Sequence, residues 1–193
     1  IRDRLRQDLG ANGQNLSTDY DRADNPTRES DALSRTTDNT YDILNRLESI
    51  TNPNSGTTSF TYDDRDNLLS VNDPNGVTTW YGYDGLNNLI IENSPDSGVT
   101  VHVYDDAGNL TQTTDARGVV VQHSYDALNR IATTTYPTSP AEDVTYTYDQ
   151  NTNGVGRLSQ RVDESGTTSF TYDHRGNLLT ETRISGTVTI AQS

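Results

Sequence analysis

The sequence contains no cysteine, no lysine and no methionine among its 193 residues. Without cysteine there is no disulfide framework, no thiol chemistry and no cysteine-ligated zinc site. All 14 basic residues are arginine, and the chain has 28 acidic residues, so its net charge is −14. This charge argues against a nucleic-acid partner, because phosphate backbones require clustered positive charge. The longest apolar runs, such as Val119 to Val121, are far too short for a membrane span.

The amino terminus also lacks two familiar signals. Residue 1 is Ile1 rather than methionine, and no charged, apolar and small-residue succession of a signal peptide follows it. We therefore expect the chain to be a fragment or a processed product.

Strongly apolar residues are scarce, since Leu, Ile, Val and Phe together supply only 37 of the 193 residues. Such scarcity combined with a large net charge is typical of disorder. The polar residues indicate something else, because 22 of the acids are Asp and only 6 are Glu, and Thr is the commonest residue with 29 copies. Asp favours turns and Thr favours strands, so the composition indicates turns and strands.

A repeated dipeptide gives this composition an order. Tyr-Asp recurs eight times, at five successive intervals of 21 residues and then at intervals of 23 and 24. The tyrosines, called the repeat tyrosines below, are Tyr20, Tyr41, Tyr62, Tyr83, Tyr104, Tyr125, Tyr148 and Tyr172. The aspartates after them include Asp63, Asp84, Asp105, Asp126 and Asp173.

Each Tyr-Asp is followed by residues that suit a β-hairpin turn. In the unit from Tyr104, Asp105 fits the first position of a type I turn, and Gly108 fits the left-handed position that closes a bulged hairpin. That position admits Gly, Asn or Asp and little else. It is occupied in seven of the units by Asp24, Asn45, Asp66, Asn87, Gly108, Asn129 and Gly176. The turn after Tyr148 is the exception and is longer by four residues.

Apolar and aromatic residues recur at fixed distances from the repeat tyrosines. Six residues after them stand Leu47, Leu68, Leu89, Leu110, Ile131 and Leu178, and two residues before them stand Phe60, Tyr81, His102, His123, Tyr146 and Phe170. Because alternate residues of a strand share one face, these side chains are expected to pool into one continuous face. The opposite turns are expected at Gly56, Gly76, Gly98, Gly118, Gly166 and Gly186.

The sequence therefore predicts an all-β protein of tandem β-hairpins, each about 21 residues long, in an antiparallel sheet. We expect a single repeat array over residues 1–193. Residues 1–19 form a degenerate or partial repeat, and residues 20–190 form eight units of two strands each. Neither a linker nor a second domain is expected.

The unit from Gly166 to Leu178 resembles the RHS/YD repeat, in its period, its Tyr-Asp dipeptide, its turn glycine Gly176 and its following leucine. The resemblance covers about residues 20–190. It implies a sheet that winds as a spiral and forms the wall of a hollow shell, as in RHS polymorphic toxins, the C components of ABC toxin complexes and teneurins. Bacterial shells usually end in a core-associated region with an aspartate-dependent cleavage site, and nothing after Tyr172 is similar to it. Asp73-Pro74 occupies a repeat turn, so it carries no expectation of cleavage.

Candidate chemistry is sparse. His102 and His123 lie one repeat apart, but their positions are those of aromatic residues in the other units and no third metal ligand has suitable spacing. The Asp-rich turns at Asp63-Asp64 and Asp105-Asp106 do not match a calcium-binding loop, and no catalytic triad is indicated. We expect no catalytic residue, no metal and no cofactor. Asn15 and Asn109 begin N-glycosylation sequons, which matter only in a secretory host.

Two hypotheses follow for the function. The first is a non-catalytic wall segment of a secreted or surface RHS-type protein that encapsulates a toxin or another polypeptide. The second is an extracellular fibre or adhesin that self-associates through the same repeats. The expected partners are neighbouring repeats of the same or identical chains and, in the first case, an enclosed toxin polypeptide. A scaffold that binds glycans or proteins through exposed Tyr and Trp80 is left open.

Overall fold

The computed structural model describes residues 7–9, 15–185 and 188–192. The chain divides into two compact units, Ile1–Gly98 and Val99–Ser193. Within each unit every strand pairs antiparallel with the next strand in sequence. The prediction of an all-β chain of tandem hairpins is thereby confirmed, whereas a single array over 1–193 stays a prediction.

The first unit contains nine described strands. They are β1 (Gln7–Leu9), β2 (Asn15–Tyr20), β3 (Pro26–Ser30), β4 (Thr36–Tyr41), β5 (Leu47–Thr51), β6 (Thr57–Tyr62), β7 (Leu68–Asn72), β8 (Thr78–Tyr83) and β9 (Leu89–Ser94). Strands β1 and β2 lie in the segment expected to be a partial repeat, so part of that segment already has the antiparallel pairing of the later units.

The second unit repeats this arrangement with nine described strands and one short 3₁₀ helix at Pro140–Glu142. The strands are β10 (Gly98–Tyr104), β11 (Leu110–Thr114), β12 (Val120–Tyr125), β13 (Ile131–Thr135), β14 (Val144–Tyr148), β15 (Leu158–Asp163), β16 (Gly166–Tyr172), β17 (Leu178–Ser185) and β18 (Val188–Gln192). The 3₁₀ helix lies in the connection between β13 and β14, where the sequence interval lengthens.

Every repeat tyrosine is the last residue of a strand, and the same register shift occurs beside it. In the hairpin of β4 and β5, Thr40 pairs with Ser49 and Tyr41 pairs with Leu47, so Glu48 is an extra residue opposite the tyrosine. This arrangement is a β-bulge, which bends a strand and increases its twist. The bulge accounts for the odd repeat length, because a hairpin pair without an extra residue would have an even one.

Neither unit has a conventional core. Among the described residues no hydrophobic side chain is buried, and the buried side chains are the small polar ones Ser70, Ser94, Thr134, Ser159 and Thr168. The apolar residues at the fixed positions are half-buried or exposed, so the pooled apolar face is shallower than the pattern suggests. The order of the sheet must therefore come largely from hydrogen bonds between neighbouring strands and turns.

Candidate functional site: the turns and the contacts between hairpins

The five residues after a repeat tyrosine, called here the tyrosine turn, are closed by two backbone hydrogen bonds. In the turn from Asp63, the Asp63 N–H donates to the Asn67 carbonyl at 2.9 Å and the Asp66 N–H donates to the Asp63 carbonyl at 3.3 Å. Asp66 has φ of 67°, in the left-handed region. All seven positions where the sequence requires a left-handed residue have positive φ in the structure.

In seven of the eight Tyr-Asp pairs the aspartate holds its turn through both carboxylate oxygens. Asp63 Oδ1 accepts the N–H groups of Arg65 and Asn67 at 2.8 and 2.9 Å, and Asp63 Oδ2 accepts the Asn67 side-chain amide at 2.9 Å. The same contacts recur at Asp21, Asp84, Asp105 and Asp173. Hydrogen bonds to the ionised form lower a carboxyl pKa. The Asn67 side-chain amide, followed by the backbone N–H groups, lowers the pKa of Asp63.

The opposite turns follow the same pattern, which the sequence analysis missed. Asp73 Oδ1 accepts the N–H groups of Asn75 and Val77, both at 2.8 Å, and Gly76 is left-handed with φ of 82°. From Asp21 to Asp126 the first residues of the turns alternate at spacings of 10 and 11. This regular spacing in the sequence indicates where the opposite turns begin.

Gly56 lies in an opposite turn whose left-handed residue is Ser55, with φ of 65°, and not the glycine. Gly56 is needed for space instead, because a Cβ on it would lie 2.8 Å from Asn52 Nδ2 and 3.0 Å from Pro74 Cβ in the next opposite turn. Gly186 lies outside the described residues.

Five of the repeat tyrosines bond through their hydroxyl to the hairpin before their own. The Tyr62 hydroxyl donates to the Leu47 carbonyl at 2.9 Å, and the Tyr125 hydroxyl donates to the Leu110 carbonyl at 2.8 Å. Tyr41, Tyr148 and Tyr172 make the equivalent bond to Pro26, Ile131 and Leu158. Phenylalanine would fill the same space but could not donate, which gives a physical reason for tyrosine at this position.

Arginines that end a tyrosine turn connect two successive turns. Arg46 Nε donates to Asp42 of its own turn at 2.7 Å, and its Nη1 donates to Asp66 of the next turn at 2.9 Å. The guanidinium also lies over the Tyr62 ring, 4.8 Å from its centroid, so it adds a cation–π contact. Its side chain is only 22% exposed, which weakens screening by water.

Arg130 repeats this arrangement in the second unit. It donates to Asp126 of its own turn at 2.7 Å and makes a bidentate pair with Asp149 at 2.6 and 3.1 Å. Its guanidinium lies 4.3 Å from the centroid of the Tyr148 ring. These hydrogen bonds, that to Asp149 first, raise the pKa of Arg130 above its ordinary value. The negative charge along the turns is thus partly neutralised by arginine.

Where asparagine ends the tyrosine turn, amides take the place of the ion pair. The Asn25 amide donates to Asn45 Oδ1 at 2.9 Å, and the Asn67 amide donates to Asn87 Oδ1 at 3.0 Å. The Asn109 amide makes the same bond to Asn129 at 3.0 Å and also donates to Asp105. The side-chain nitrogen of Asn109, to which a glycan of the sequon would be attached, therefore donates hydrogen bonds both within its own turn and to the next turn.

The long turn after Tyr148 keeps the closure of the others. The Asp149 N–H donates to the Arg157 carbonyl at 3.1 Å, and Asp149, Asn151, Asn153 and Gly156 have positive φ. The Arg157 guanidinium lies over the Tyr172 ring, 5.7 Å from its centroid, as Arg46 and Arg130 lie over Tyr62 and Tyr148. The four extra residues are accommodated within the loop, and the hairpin contact to the next tyrosine is retained.

The two strand histidines are held separately. His102 Nδ1 lies 3.1 Å from Thr113 Oγ1, and His123 Nδ1 lies 3.1 Å from Thr134 Oγ1, each across its own hairpin. In the ranges that the structure describes, no group of three His, Asp or Glu side chains could hold a metal ion. The arrangement brings polar groups together for bonding between hairpins.

Comparison with known proteins gives one family and a set of solved folds. The Teneurin YD-shell family matches residues 7–190. No curated protein sequence matches the chain significantly. No helix in the described part of the chain is long and apolar enough to cross a membrane.

Several solved structures have a fold similar to that of this chain. A TcdB2-TccC3-TEV structure shares 16% identity at a TM-score of 0.60, over 94% of this chain and 12% of that one. A TcdB2-TccC3-Cdc42 structure shares 15% identity at 0.61, over 92% and 13%. The Tc holotoxin pore of Photorhabdus luminescens shares 16% identity at 0.63, over 92% and 12%. The chain thus spans about an eighth of the solved chains that it matches.

Proposed function

Because the chain belongs to the Teneurin YD-shell family, we propose that it is a non-catalytic stretch of shell wall in a secreted or surface protein of RHS type. The shell encapsulates a toxin or another polypeptide. The proposal assigns no chemistry to the repeat residues, whose role is to join one hairpin to the next.

The observation that carries the proposal is the set of contacts between successive hairpins. Five of the repeat tyrosines bond through their hydroxyl to the hairpin before their own, and several residues that end a tyrosine turn bond to the next turn. These contacts use the same positions of the repeat wherever they occur, so the arrangement extends by adding repeats rather than by enlarging a core. A protein built in this way forms surface of any required extent, which is the property that a wall needs.

Two further findings support a wall. Among the described residues the sheet buries no hydrophobic side chain, so it has the character of a thin layer rather than a globular domain. One solved chain with a similar fold belongs to a Tc holotoxin pore, and the solved chains are about eight times as long as this chain. Enclosure of a polypeptide would be a property of such a longer chain.

Limited proteolysis of the natural polypeptide that contains this chain tests encapsulation. We expect one segment outside the repeats to resist a broad-specificity protease while the protein is native and to be degraded once the shell is opened by denaturant. Closed hollow particles in electron micrographs of the same sample would agree. A polypeptide with no segment besides the repeats, or one in which every segment is equally sensitive in the native state, would contradict the proposal.

The alternative is a fibre or adhesin in which the same contacts join separate molecules. It is favoured by the use of identical positions in each repeat, since a contact that joins two hairpins of one chain also fits two chains. Negative-stain microscopy separates the two cases. Uniform filaments that lengthen with protein concentration support the fibre, and discrete closed particles support the shell.

A further inference from the structure

Trp80 lies on the face of its hairpin opposite the repeat tyrosines. It is in β8 between Thr79 and Tyr81, and its side chain alternates with that of Tyr81, which is half-buried on the tyrosine face. The indole is 56% exposed, although it is the sole tryptophan of the chain. A large aromatic side chain left in water forgoes the stabilisation that burial would give it.

The repeat itself does not require a tryptophan here. The residue three places before a repeat tyrosine is polar in six of the eight units, and the set is Ser17, Asp38, Ser59, Trp80, Val101, Gln122, Thr145 and Ser169. The residue immediately before the tyrosine is glycine in this unit alone, at Gly82. Trp80 and Gly82 are alternate residues of one strand, so both departures from the pattern fall on the same face.

Gly82 makes room for an apolar neighbour. It pairs with Ile91 on β9, and a Cβ on Gly82 would lie 2.6 Å from Ile91 Cγ2. Ile91 is 38% exposed. Any larger residue at 82 would displace Ile91, so the pair forms a low apolar shelf next to the indole. A glycine within a strand often marks such a close approach.

The positions paired with the indole are polar and uncharged. Trp80 pairs with Ser70 on one side and with Asn93 on the other. Ser70 is buried and its hydroxyl is bonded to Thr61 at 2.6 Å. Asn93 is exposed, and within the described residues its amide has no hydrogen-bond partner. An open aromatic face thus lies beside a free amide that can both donate and accept.

We propose that Trp80, Gly82, Ile91 and Asn93 form a binding site for a neutral saccharide. The C–H face of a pyranose ring stacks on the electron-rich indole face, the shelf supports the edge of the sugar, and the Asn93 amide bonds to a hydroxyl. The charge of the chain selects among ligands, because a net charge of −14 disfavours sulfated or carboxylated sugars. A cationic ligand needs a carboxylate or a second ring beside the indole, and neither Ser70 nor Asn93 supplies one.

Tryptophan fluorescence reports on this site directly, because Trp80 is the only emitter of its kind. The probes are cellotetraose, maltotetraose and N-acetylchitotetraose at millimolar concentration, with a heparin tetrasaccharide as the charged comparison. We expect at least one neutral probe to shift the emission saturably and to protect the indole from acrylamide, and we expect the heparin probe to do neither.

Two variants separate a built site from any exposed indole. Asn93→Ala is expected to weaken binding about threefold to tenfold, in keeping with the loss of one hydrogen bond. The double variant Ser59→Trp with Trp80→Ser moves the indole one repeat back, where it pairs with Ser49 and Asn72 and lacks the shelf. We expect it to bind at least tenfold more weakly, whereas Leu86→Ser, at an exposed turn of the same hairpin, binds as the parent does.

The double variant can be compared directly with the parent, because it still contains one fluorescent tryptophan and carries at position 80 the serine found at that position in other units. Circular dichroism spectra that match the parent establish that each variant is folded. Equal binding by the parent and the double variant would overturn the proposal, as would the absence of a response to every saccharide. In the latter case the exposed face would belong to a protein contact.

Discussion

At the scale of the residue, the Tyr-Asp dipeptide has two distinct roles. The tyrosine reaches back to the preceding hairpin, as in the bond from the Tyr125 hydroxyl to the Leu110 carbonyl at 2.8 Å. The aspartate acts locally, as in the two N–H groups that Asp126 Oδ1 accepts from Leu128 and Arg130. One residue therefore provides the contact between repeats, and the next provides the turn that separates the two strands of a repeat.

The tyrosine role predicts a measurable loss on removal of one oxygen. Tyr125→Phe should lower the free energy of unfolding by about 0.5–1.5 kcal/mol, because the hydrogen bond is lost and the Leu110 carbonyl is left without it. Tyr146→Phe is the control, since within the described residues the Tyr146 hydroxyl has no hydrogen-bond partner. Urea unfolding followed by circular dichroism gives both values, and equal values for the two variants would contradict the assigned role.

The left-handed residue of the turn predicts a second contrast, between two glycines of the tyrosine turns. Gly108 has φ of 81° and Gly85 has ordinary φ, and a Cβ on either would meet nothing within 4 Å. Gly108→Ala should therefore destabilise by about 1 kcal/mol through backbone strain alone. Gly85→Ala should be neutral or slightly stabilising, because it restricts only the unfolded chain. Thermal unfolding that ranks the two variants the other way would refute this explanation.

At the scale of the element, the turn rather than the strand carries most of the specificity. The opposite turns from Asn52 and Asp73 have the same construction as a tyrosine turn, with an aspartate or asparagine first and a left-handed residue fourth. The turns alternate at spacings of 10 and 11 residues, and the bulge residue beside each repeat tyrosine lies in the 10-residue half. The repeat is thus two similar halves that differ by one residue.

How far the sequence predicts these elements depends on local chemistry. The left-handed positions Asn45 and Gly108 were predictable, since few residues tolerate positive φ. Ser55 was not, because serine carries no strong preference for positive φ. The bonds between turns at Asn67 and Arg46 were also beyond the sequence, because they join residues about 20 apart whose register only the paired strands fix.

The turn aspartates predict that the folded protein loses stability steeply at acidic pH. Their pKa values are lowered in the folded state, as at Asp63, Asp84 and Asp105, chiefly by bonds from an asparagine amide. A lowered folded pKa gives stability that is present above the unfolded value of about 3.9 and is lost as the pH falls through the folded values. The urea midpoint should therefore be flat from about pH 5 to pH 8 and should fall steeply below about pH 4.

A neutral turn of the same chain provides the control for this prediction. Asn52 Oδ1 accepts the N–H groups of Asn54 and Gly56 at 2.9 and 3.0 Å, so an amide can hold the turn. The triple variant with asparagine in place of Asp63, Asp84 and Asp105 should fold and should lose less stability between pH 5 and pH 3 than the parent. An unchanged acid dependence in this variant would locate the titrating groups elsewhere.

At the scale of the whole molecule, order comes from the succession of hairpins. Among the described residues no hydrophobic side chain is buried, and scarce apolar residues with a net charge of −14 would by themselves indicate disorder. The chain is ordered because successive hairpins are joined by paired strands and by hydrogen bonds at recurring positions of the repeat. The acidic residues are largely in turns, where water reaches them and where their oxygens are used.

The measurement that tests this account most directly compares two deletions in the middle of the chain. Removing residues 84–104 joins Tyr83 to Asp105 and deletes one 21-residue period, so the register and the Tyr-Asp dipeptide are both kept. Removing residues 84–103 differs by one residue, which turns alternate side chains to the wrong face. The account predicts a cooperatively unfolding β protein for the first deletion and loss of the β signal for the second by circular dichroism, and equal behaviour of the two chains would contradict it.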